Sequence, residues 1–388
     1  MNNSNAPQKI GSNFMFKNIN LRTYTMIFAL IIIAVMFQLL TRGIFFSPRN
    51  LSNLFRAMSI TGVLTMGMVL LIVSGNFDLA VGSALAVTGG IAAVLQVWYG
   101  YSTPVAILVS VFVGVLIGLW QGFWVAYRGV PSFIVTLGNL MALRGLYLVI
   151  TQGITITPIR PDFILISQSY LPGSANYIFA LLAIAGIVIF NINKRVSRTK
   201  YGFSNEKILM TILKILVQSA LVVLFVIMMI RFRGIPTPVI ILIALLLFFI
   251  FIADKTRFGR RVYAIGGNIE AAKLSGINVN RHVLILFVIS GVLCAISGIM
   301  LTSRLASAVA AAGTGVELDV ISACVIGGTS LRGGKGTIFG ALVGALIIAS
   351  LDNGMSLLNV TYYYQSIVKG LVLILAVWFD VATQKKGR

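Results

Sequence analysis

The chain has 388 residues, of which 58% are hydrophobic and only 10% are charged. An ordinary soluble domain contains roughly 45–50% apolar and about 25% charged residues, so this composition excludes a soluble globular protein and indicates one that spans a membrane. The formal net charge of +21 does not indicate nucleic-acid binding, because the Lys and Arg residues lie in short polar loops between apolar runs rather than on one continuous face.

Apolar runs of about 17 to 22 residues recur along the chain, and each is long enough to cross a bilayer about 30 Å thick. They predict an all-α polytopic membrane protein with about ten transmembrane helices. These helices are expected at residues 24–40, 57–74, 82–99, 104–125, 132–152, 176–192, 213–230, 238–253, 282–303 and 366–381. The stretch 317–352 is also apolar, but glycines interrupt it between residues 327 and 336, so we predict a re-entrant pair of half-helices there.

Polar and basic segments set the predicted topology. Residues 1–23 lack the features of a cleaved signal peptide and are interpreted as a cytoplasmic tail. One transmembrane permease domain is expected at 24–381 and a second cytoplasmic tail at 382–388. With both termini cytoplasmic, most Lys and Arg residues of the loops fall on the cytoplasmic side, in agreement with the positive-inside rule. The long polar stretch 254–281 is then a cytoplasmic loop.

The residues that enzymes commonly use are scarce. The only histidine, His282, stands at the start of an apolar run, and the two cysteines, Cys294 and Cys324, lie in apolar or glycine-rich segments. The sequence contains no metal-ligand cluster, no nucleophile elbow G-x-S-x-G and no phosphate-binding loop G-x-x-x-x-G-K-[ST]. We therefore predict no catalytic residue, no metal and no cofactor in this chain.

The cytoplasmic loop 254–281 contains residues that favour the start and the end of a short helix. Asn268 is a good N-cap, Glu270 opposes the positive end of a helix, and Gly276 suits a C-terminal stop. A short helix of about seven residues is therefore predicted between two membrane spans.

Four residues of this loop, Glu270, Ala271, Ala272 and Gly276, resemble the EAA loop of ATP-binding-cassette (ABC) importer permeases, the coupling helix that docks into the ATP-binding subunit. Further segments resemble the ribose and xylose class of these permeases, and the likeness is greatest for permeases of the xylose importers. These segments are Asp78–Ser83, Val130–Gly138, Phe258–Ile277, Ala323–Leu331 and Ser350–Ser356. The resemblance covers nearly the whole chain.

This resemblance implies the ABC importer permease fold and a multi-pass subunit of the bacterial cytoplasmic membrane. Its expected function is to translocate a monosaccharide, xylose or a similar pentose or hexose, by alternating access. The implied partners are a second permease copy, an extracytoplasmic sugar-binding protein and a separate ATPase subunit that binds ATP and Mg²⁺. Lys335 beside Arg332 departs from the neutral residues expected in the glycine-rich break and leaves the identity of the sugar open.

Polar residues within the membrane segments are candidates for the translocation path, since such groups at bilayer depth usually face a cavity. A neutral sugar needs hydroxyl, amide and backbone hydrogen-bond partners rather than charged side chains that would bind an ion. The candidates are Asn76, Asp78, Ser83, Asn139, Thr329 and Asn353. Asp78 is equally compatible with a structural helix cap, and Arg144, within a span, is expected to pair with a helix C-terminus or a carboxylate.

An ion-gradient-driven secondary transporter is the alternative function. It would account for the spans and the broken helices, and an embedded acid such as Asp78 would couple the ion to the substrate. The segment from Glu270 to Gly276 has no obvious task in such a carrier, and it therefore favours the ABC importer.

Overall fold

The computed structural model describes residues 21–202 and 208–385 of the chain. Most of the two predicted tails, residues 1–20 and 386–388, lies outside the described residues, whereas 21–23 and 382–385 already belong to helices. The described residues form fifteen α-helices, and β-pairing among them is limited to two isolated bridges. The predicted all-α class is therefore confirmed.

The helices follow one another in chain order with short connections. They are α1 Leu21–Leu40, α2 Pro48–Val73, α3 Val81–Val97, α4 Thr103–Ala126, α5 Ser132–Thr151, α6 Pro161–Gln168, α7 Gly173–Lys200, α8 Ile208–Ile230, α9 Thr237–Lys255, α10 Arg257–Gly267, α11 Ile269–Leu274, α12 Val279–Leu305, α13 Val316–Ile326, α14 Ile338–Leu357 and α15 Tyr362–Lys385. Each of the ten predicted spans coincides with one of these helices, namely α1 to α5, α7 to α9, α12 and α15.

Eight helices in the described part of the chain are long and apolar enough to cross a membrane. They are α2, α4, α5, α7, α8, α9, α12 and α14. Shorter apolar helices cover Met26–Leu40, Val81–Val97 and Tyr362–Trp378. The polytopic architecture agrees with the prediction.

The prediction for residues 317–352 was wrong in its second half. The chain forms one half-helix, α13, then a glycine-rich turn over 327–337, and then the 20-residue helix α14. Thr337 begins α14 as an N-cap, because its hydroxyl accepts a hydrogen bond from the amide of Gly340 at 3.0 Å. The apolar residues that follow continue without a break, so the interruption is confined to the turn.

Glycines bring the backbones of α13 and α14 into direct contact. A Cβ atom added at Gly344 would collide with the carbonyl of Ala323, and one added at Gly340 would collide with the carbonyl of Gly327. These glycines therefore close-pack two neighbouring helices and do not break α14.

The centre of the molecule is formed by α2 and α12, with α3, α4 and α14 packed around them. In α2, 83% of an 18-residue apolar stretch is buried inside the protein, and in α12 the buried share is 67%. Gly114 and Gly118 of α4 face the backbone of α12 at Gly291 and Phe287, with no room for side chains. These small residues let α4 and α12 pack at close range.

Three apolar helices lie at the periphery. Only 11% of an 18-residue apolar stretch is buried in each of α5 and α8, and only 6% in α7. Their exposed side chains are mostly large and apolar, among them Val149, Leu181 and Leu216. A surface of this composition requires cover by lipid or by another subunit.

Candidate coupling helix and translocation path

The short helix α11 forms from signals within its own segment. Asn268 accepts a hydrogen bond from the amide of Ala271 at 3.0 Å, and Lys273 pairs with Glu270 at 3.0 Å across one helical turn. Gly276 ends the helix with φ of +76°, a conformation that glycine adopts without strain. The predicted helix, its N-cap and its glycine stop are all present.

The two faces of α11 differ in their surroundings. Ala272 is 4% exposed and packs into the main core of the protein, so its small side chain lets α11 lie close to its own chain. The opposite face is open: Leu274 is 89% exposed and Ile269 is 45% exposed. Ala271 and Glu270 lie on this open side as well. An exposed leucine on a rigid helix is suited to insertion into an apolar pocket of a partner.

The element that precedes α11 is bound to the glycine-rich turn. The hydroxyl of Tyr263 on α10 donates a hydrogen bond to the carbonyl of Gly336 at 2.8 Å. Burial, reinforced by the carboxylate of Asp254, raises the pKa of Tyr263 to about 12, so that this donor stays protonated at neutral pH.

Three backbones meet at the end of α2. The amide of Gly334 donates a hydrogen bond to the carbonyl of Val73 at 2.8 Å, and Gly266 of α10 lies so close to the same carbonyl that no Cβ atom fits. Gly333 and Gly334 both have positive φ, at +82° and +71°. The backbones of α10, of the end of α2 and of the turn before α14 are therefore in direct contact.

Asp78 lies in the core. It is 2% exposed; one carboxylate oxygen accepts a hydrogen bond from Ser290 of α12 at 2.8 Å, and the other accepts one from the amide of Ala80 at 3.0 Å. Both oxygens thus have partners within the chain, and the second bond supports the start of α3. The N-cap of α3 is Ala80, which has no side-chain capping bond, so Asp78 is not the helix cap; its carboxylate instead closes the turn before α3 and ties it to α12.

The other predicted path residues are distributed over several contacts. Ser83 of α3 donates to the carbonyl of Leu140 at 2.8 Å, and Asn139 of α5 accepts from the indole of Trp120 at 3.3 Å. The side-chain amide nitrogen of Asn139 has no hydrogen-bond partner among the described residues. Ser83 thus lies where α3 meets α5, whereas the side chain of Asn139 is bound to Trp120 of α4.

Asn76, Thr329 and Asn353 lie in other parts of the fold. Asn76 donates to the hydroxyl of Ser74 at 3.1 Å. Thr329 is fully buried in the glycine-rich turn, and its hydroxyl has no partner among the described residues. Asn353 of α14 exchanges two hydrogen bonds with Asn50 of α2, at 2.7 and 2.9 Å. The six candidates therefore do not converge on one site.

Arg144 has different partners from those expected. Its guanidinium donates to the carbonyl of Ala312 at 2.6 Å and to the hydroxyl of Thr314. Tyr147, one turn further along α5, donates to the carbonyl of Val309 at 2.6 Å. Both residues hold the irregular segment that leads into α13, because its backbone carbonyls lack helical partners.

A partly buried ion cluster was not predicted from the sequence. Lys369 of α15 lies 2.9 Å from the carboxylate of Asp319 on α13 and 3.3 Å from that of Asp352 on α14. The one available signal was a lysine inside an apolar run, since a charge at bilayer depth requires a partner. The cluster connects the half-helix to the two helices that follow it.

Comparisons with known proteins agree with this architecture. Residues 50–377 match the profile of a family described as branched-chain amino acid transport system / permease component. The xylose transport system permease protein XylH of Haemophilus influenzae is 46% identical over 373 residues, which cover 96% of this chain and 100% of that protein. XylH of Escherichia coli K12 is 46% identical over 96% of this chain and 94% of its own length.

A more distant relative is the ribose import permease protein RbsC of Bacillus subtilis, which is 37% identical over 87% of this chain and 86% of its own length. No solved structure shows significant similarity to the chain. The matches extend over nearly all of the described helices. The chain therefore belongs to the family of transport-system permease components that includes the xylose and ribose permeases.

Proposed function

We propose that this protein is the membrane-spanning permease of an ABC importer that carries xylose or a similar pentose or hexose across the bacterial cytoplasmic membrane. The observation that carries the proposal is the 46% identity to two xylose permeases over 96% of the chain. The exposed face of α11 supports it, because a rigid helix with a solvent-exposed leucine is what a docking partner requires.

The proposed assembly contains two copies of this permease, an ATPase subunit and an extracytoplasmic sugar-binding protein. ATP and Mg²⁺ are bound by the ATPase, and this chain acts as a transport subunit rather than as an enzyme. Both termini and the loop 254–281 lie in the cytoplasm, an orientation that the positive-inside rule supports. The N-terminus of α2 and the C-terminus of α12 then lie on the extracytoplasmic side.

In this assembly, closure of the ATPase displaces α11. Because Gly266, Val73 and Gly334 are in backbone contact, the displacement reaches α2 and the glycine-rich turn before α14. Ser83, where α3 meets α5, and Asn139 of α5 are proposed to line the path, and Asn139 still has a free amide donor for a sugar hydroxyl. Asn76, Asp78, Thr329 and Asn353 are proposed to act at the path only after such a rearrangement.

The proposal is tested by reconstituting the permease and its ATPase in proteoliposomes with D-xylose-loaded binding protein. Uptake of labelled D-xylose is expected with internal ATP and Mg²⁺ and without any ion gradient. An imposed proton or sodium gradient without ATP is expected to give no uptake. Gradient-driven uptake in the absence of the ATPase would refute the proposal and establish the secondary carrier instead.

A further inference from the structure

A polar cavity of about 280 Å³ lies between α2, α14 and the end of α12. Its polar walls are formed by Asn53, Thr61, Arg304, Asp352, Asn353 and Ser356. Asn53 is near the N-terminus of α2 and Arg304 is near the C-terminus of α12, so in the proposed orientation the cavity opens in the extracytoplasmic half of the membrane. Its volume is at the small end of the range for ligand pockets.

Two opposite charges face this cavity without pairing with each other. Arg304 forms no ion pair within the described parts of the chain; its backbone carbonyl, not its guanidinium, is engaged, by the side-chain amide of Gln168 at 3.0 Å. Asp352 forms an ion pair with Lys369 at 3.3 Å, and 35% of its side chain remains exposed. Hydrogen-bonding capacity therefore remains on both sides of the cavity.

Two charged residues line the cavity, and they are opposite in sign: Arg304 is positive and Asp352 is negative. Lys369 and Asp319 lie behind Asp352, and Arg56 lies near Arg304 outside the wall, with its guanidinium 4.4 Å from the ring of Tyr170. A wall with no net charge favours a neutral ligand over an ion.

A monosaccharide meets these requirements. Each hydroxyl both donates and accepts hydrogen bonds, so it can accept from a guanidinium while its neighbour donates to a carboxylate. Amides and hydroxyls such as Asn53, Thr61 and Ser356 serve the remaining hydroxyls. Apolar lipid chains would leave these groups unsatisfied, at a cost in free energy.

We propose that this cavity is a monosaccharide subsite in each permease subunit, on the extracytoplasmic side, with Arg304 and Asp352 as its two principal hydrogen-bonding groups. This inference rests on the proposed function. It adds Arg304 and Asp352, which were not among the path candidates, to the residues that contact the sugar. The subsite would receive the sugar after its release from the binding protein and before the inward step.

Binding is tested on the purified permease alone, without the ATPase. Ser356→Cys places a thiol in the cavity wall, whereas the natural Cys294 and Cys324 are buried and react slowly. Millimolar D-xylose is expected to slow maleimide labelling of this thiol, and maltotriose, which is too large for the cavity, is not. Ser174→Cys, an exposed position at the start of α7, is the control and is expected to be unaffected by either sugar.

Transport is tested with variants that change the cavity and spare the rest of the fold. Ala57→Leu fills the space, and Arg304→Gln removes one charged donor. Arg304→Gln is expected to lower ATP-driven D-xylose uptake about tenfold, since a hydrogen bond to a charged group commonly contributes such a factor. Ala57→Leu is expected to lower uptake as well, because its added side chain occupies the space of the sugar. Ala185→Leu on the exposed face of α7 and Arg231→Gln in the loop after α8 are the matched controls, with uptake unchanged.

The outcomes separate this inference from the proposed function. Normal uptake by Ala57→Leu and Arg304→Gln, in membranes where the wild type transports, would overturn the subsite and leave the importer intact. Equal labelling of Ser356→Cys with and without D-xylose would overturn it as well. Protection of Ser356→Cys by D-xylose together with loss of uptake in both cavity variants supports it.

Discussion

The exposed leucine of α11 gives the sharpest test of the docking surface. Leu274 is 89% exposed in the isolated permease, so its side chain contributes almost nothing to the stability of the fold. If the side chain enters a pocket of the ATPase, its apolar area is removed from water on association. Leu274→Ala should therefore weaken binding of the ATPase and leave the permease itself unchanged.

The magnitude follows from the area that docking would bury. Burying an exposed leucine contributes about 1.5–3 kcal/mol, and the alanine retains a small part of this. A loss of about 2 kcal/mol corresponds to a roughly 30-fold increase in the dissociation constant. The ATP-driven uptake at limiting ATPase concentration is expected to fall in parallel.

The assay is the affinity of the purified ATPase for permease in lipid nanodiscs, measured by biolayer interferometry. Leu247→Ala on α9 is the matched control, because Leu247 is 64% exposed on a helix that is apolar enough to cross the membrane. The control is expected to bind the ATPase as the wild type does. An unchanged dissociation constant for Leu274→Ala would refute the assignment of α11 as the docking helix.

Substitutions at three further places test the packing around these elements: on α11, in the glycine-rich turn and in the ion cluster. Ala272→Trp is expected to cost about 1–3 kcal/mol of stability, seen as a lower melting temperature, because Ala272 is buried, whereas Ala271→Trp should keep that temperature and impair only ATPase binding. Gly328→Leu is expected to abolish uptake, since φ of +89° strains any residue with a side chain; normal uptake would contradict this. Lys369→Met leaves two carboxylates without their cation and should lower stability by less than the about 3–5 kcal/mol of a fully buried pair, because 35% of the Asp352 side chain is exposed; the added change Asp319→Asn should restore part of it. An intact melting temperature for Lys369→Met would contradict the ion cluster.

The long spans and the short helix α11 could be predicted because their signals are local. Length and hydropathy define a membrane helix without reference to any neighbour. Asn268, Glu270 and Gly276 act within one short segment, so the start and the end of α11 follow from the residues themselves.

The length of α14 was predicted wrongly because glycine can either break a helix or allow close packing against it. In the turn, Gly333 and Gly334 supply positive φ values that break a helix. In α14, Gly344 and Gly354 let Ala323 and the ring of Phe37 approach the backbone, and the helix continues. Sequence composition alone does not separate a glycine that bends the chain from one that packs it.

The partners of embedded polar groups could not be predicted, because they depend on which helices meet. Asp78 binds Ser290, and Arg144 binds the carbonyl of Ala312; both pairs are far apart in the chain. The sequence shows that such residues need partners, and the tertiary structure decides whether the partner is a side chain, a backbone carbonyl or a cavity.

The position of Lys369 in the last helix bears on how the protein is made. Synthesis delivers Asp319 and Asp352 to the membrane before α15 leaves the ribosome, so the two acids enter the bilayer without their cation. Insertion of α15 supplies that charge and completes the cluster. A chain terminated before residue 362 would keep two acids without their cation inside the apolar segments, so the last helix is needed to satisfy groups on α13 and α14.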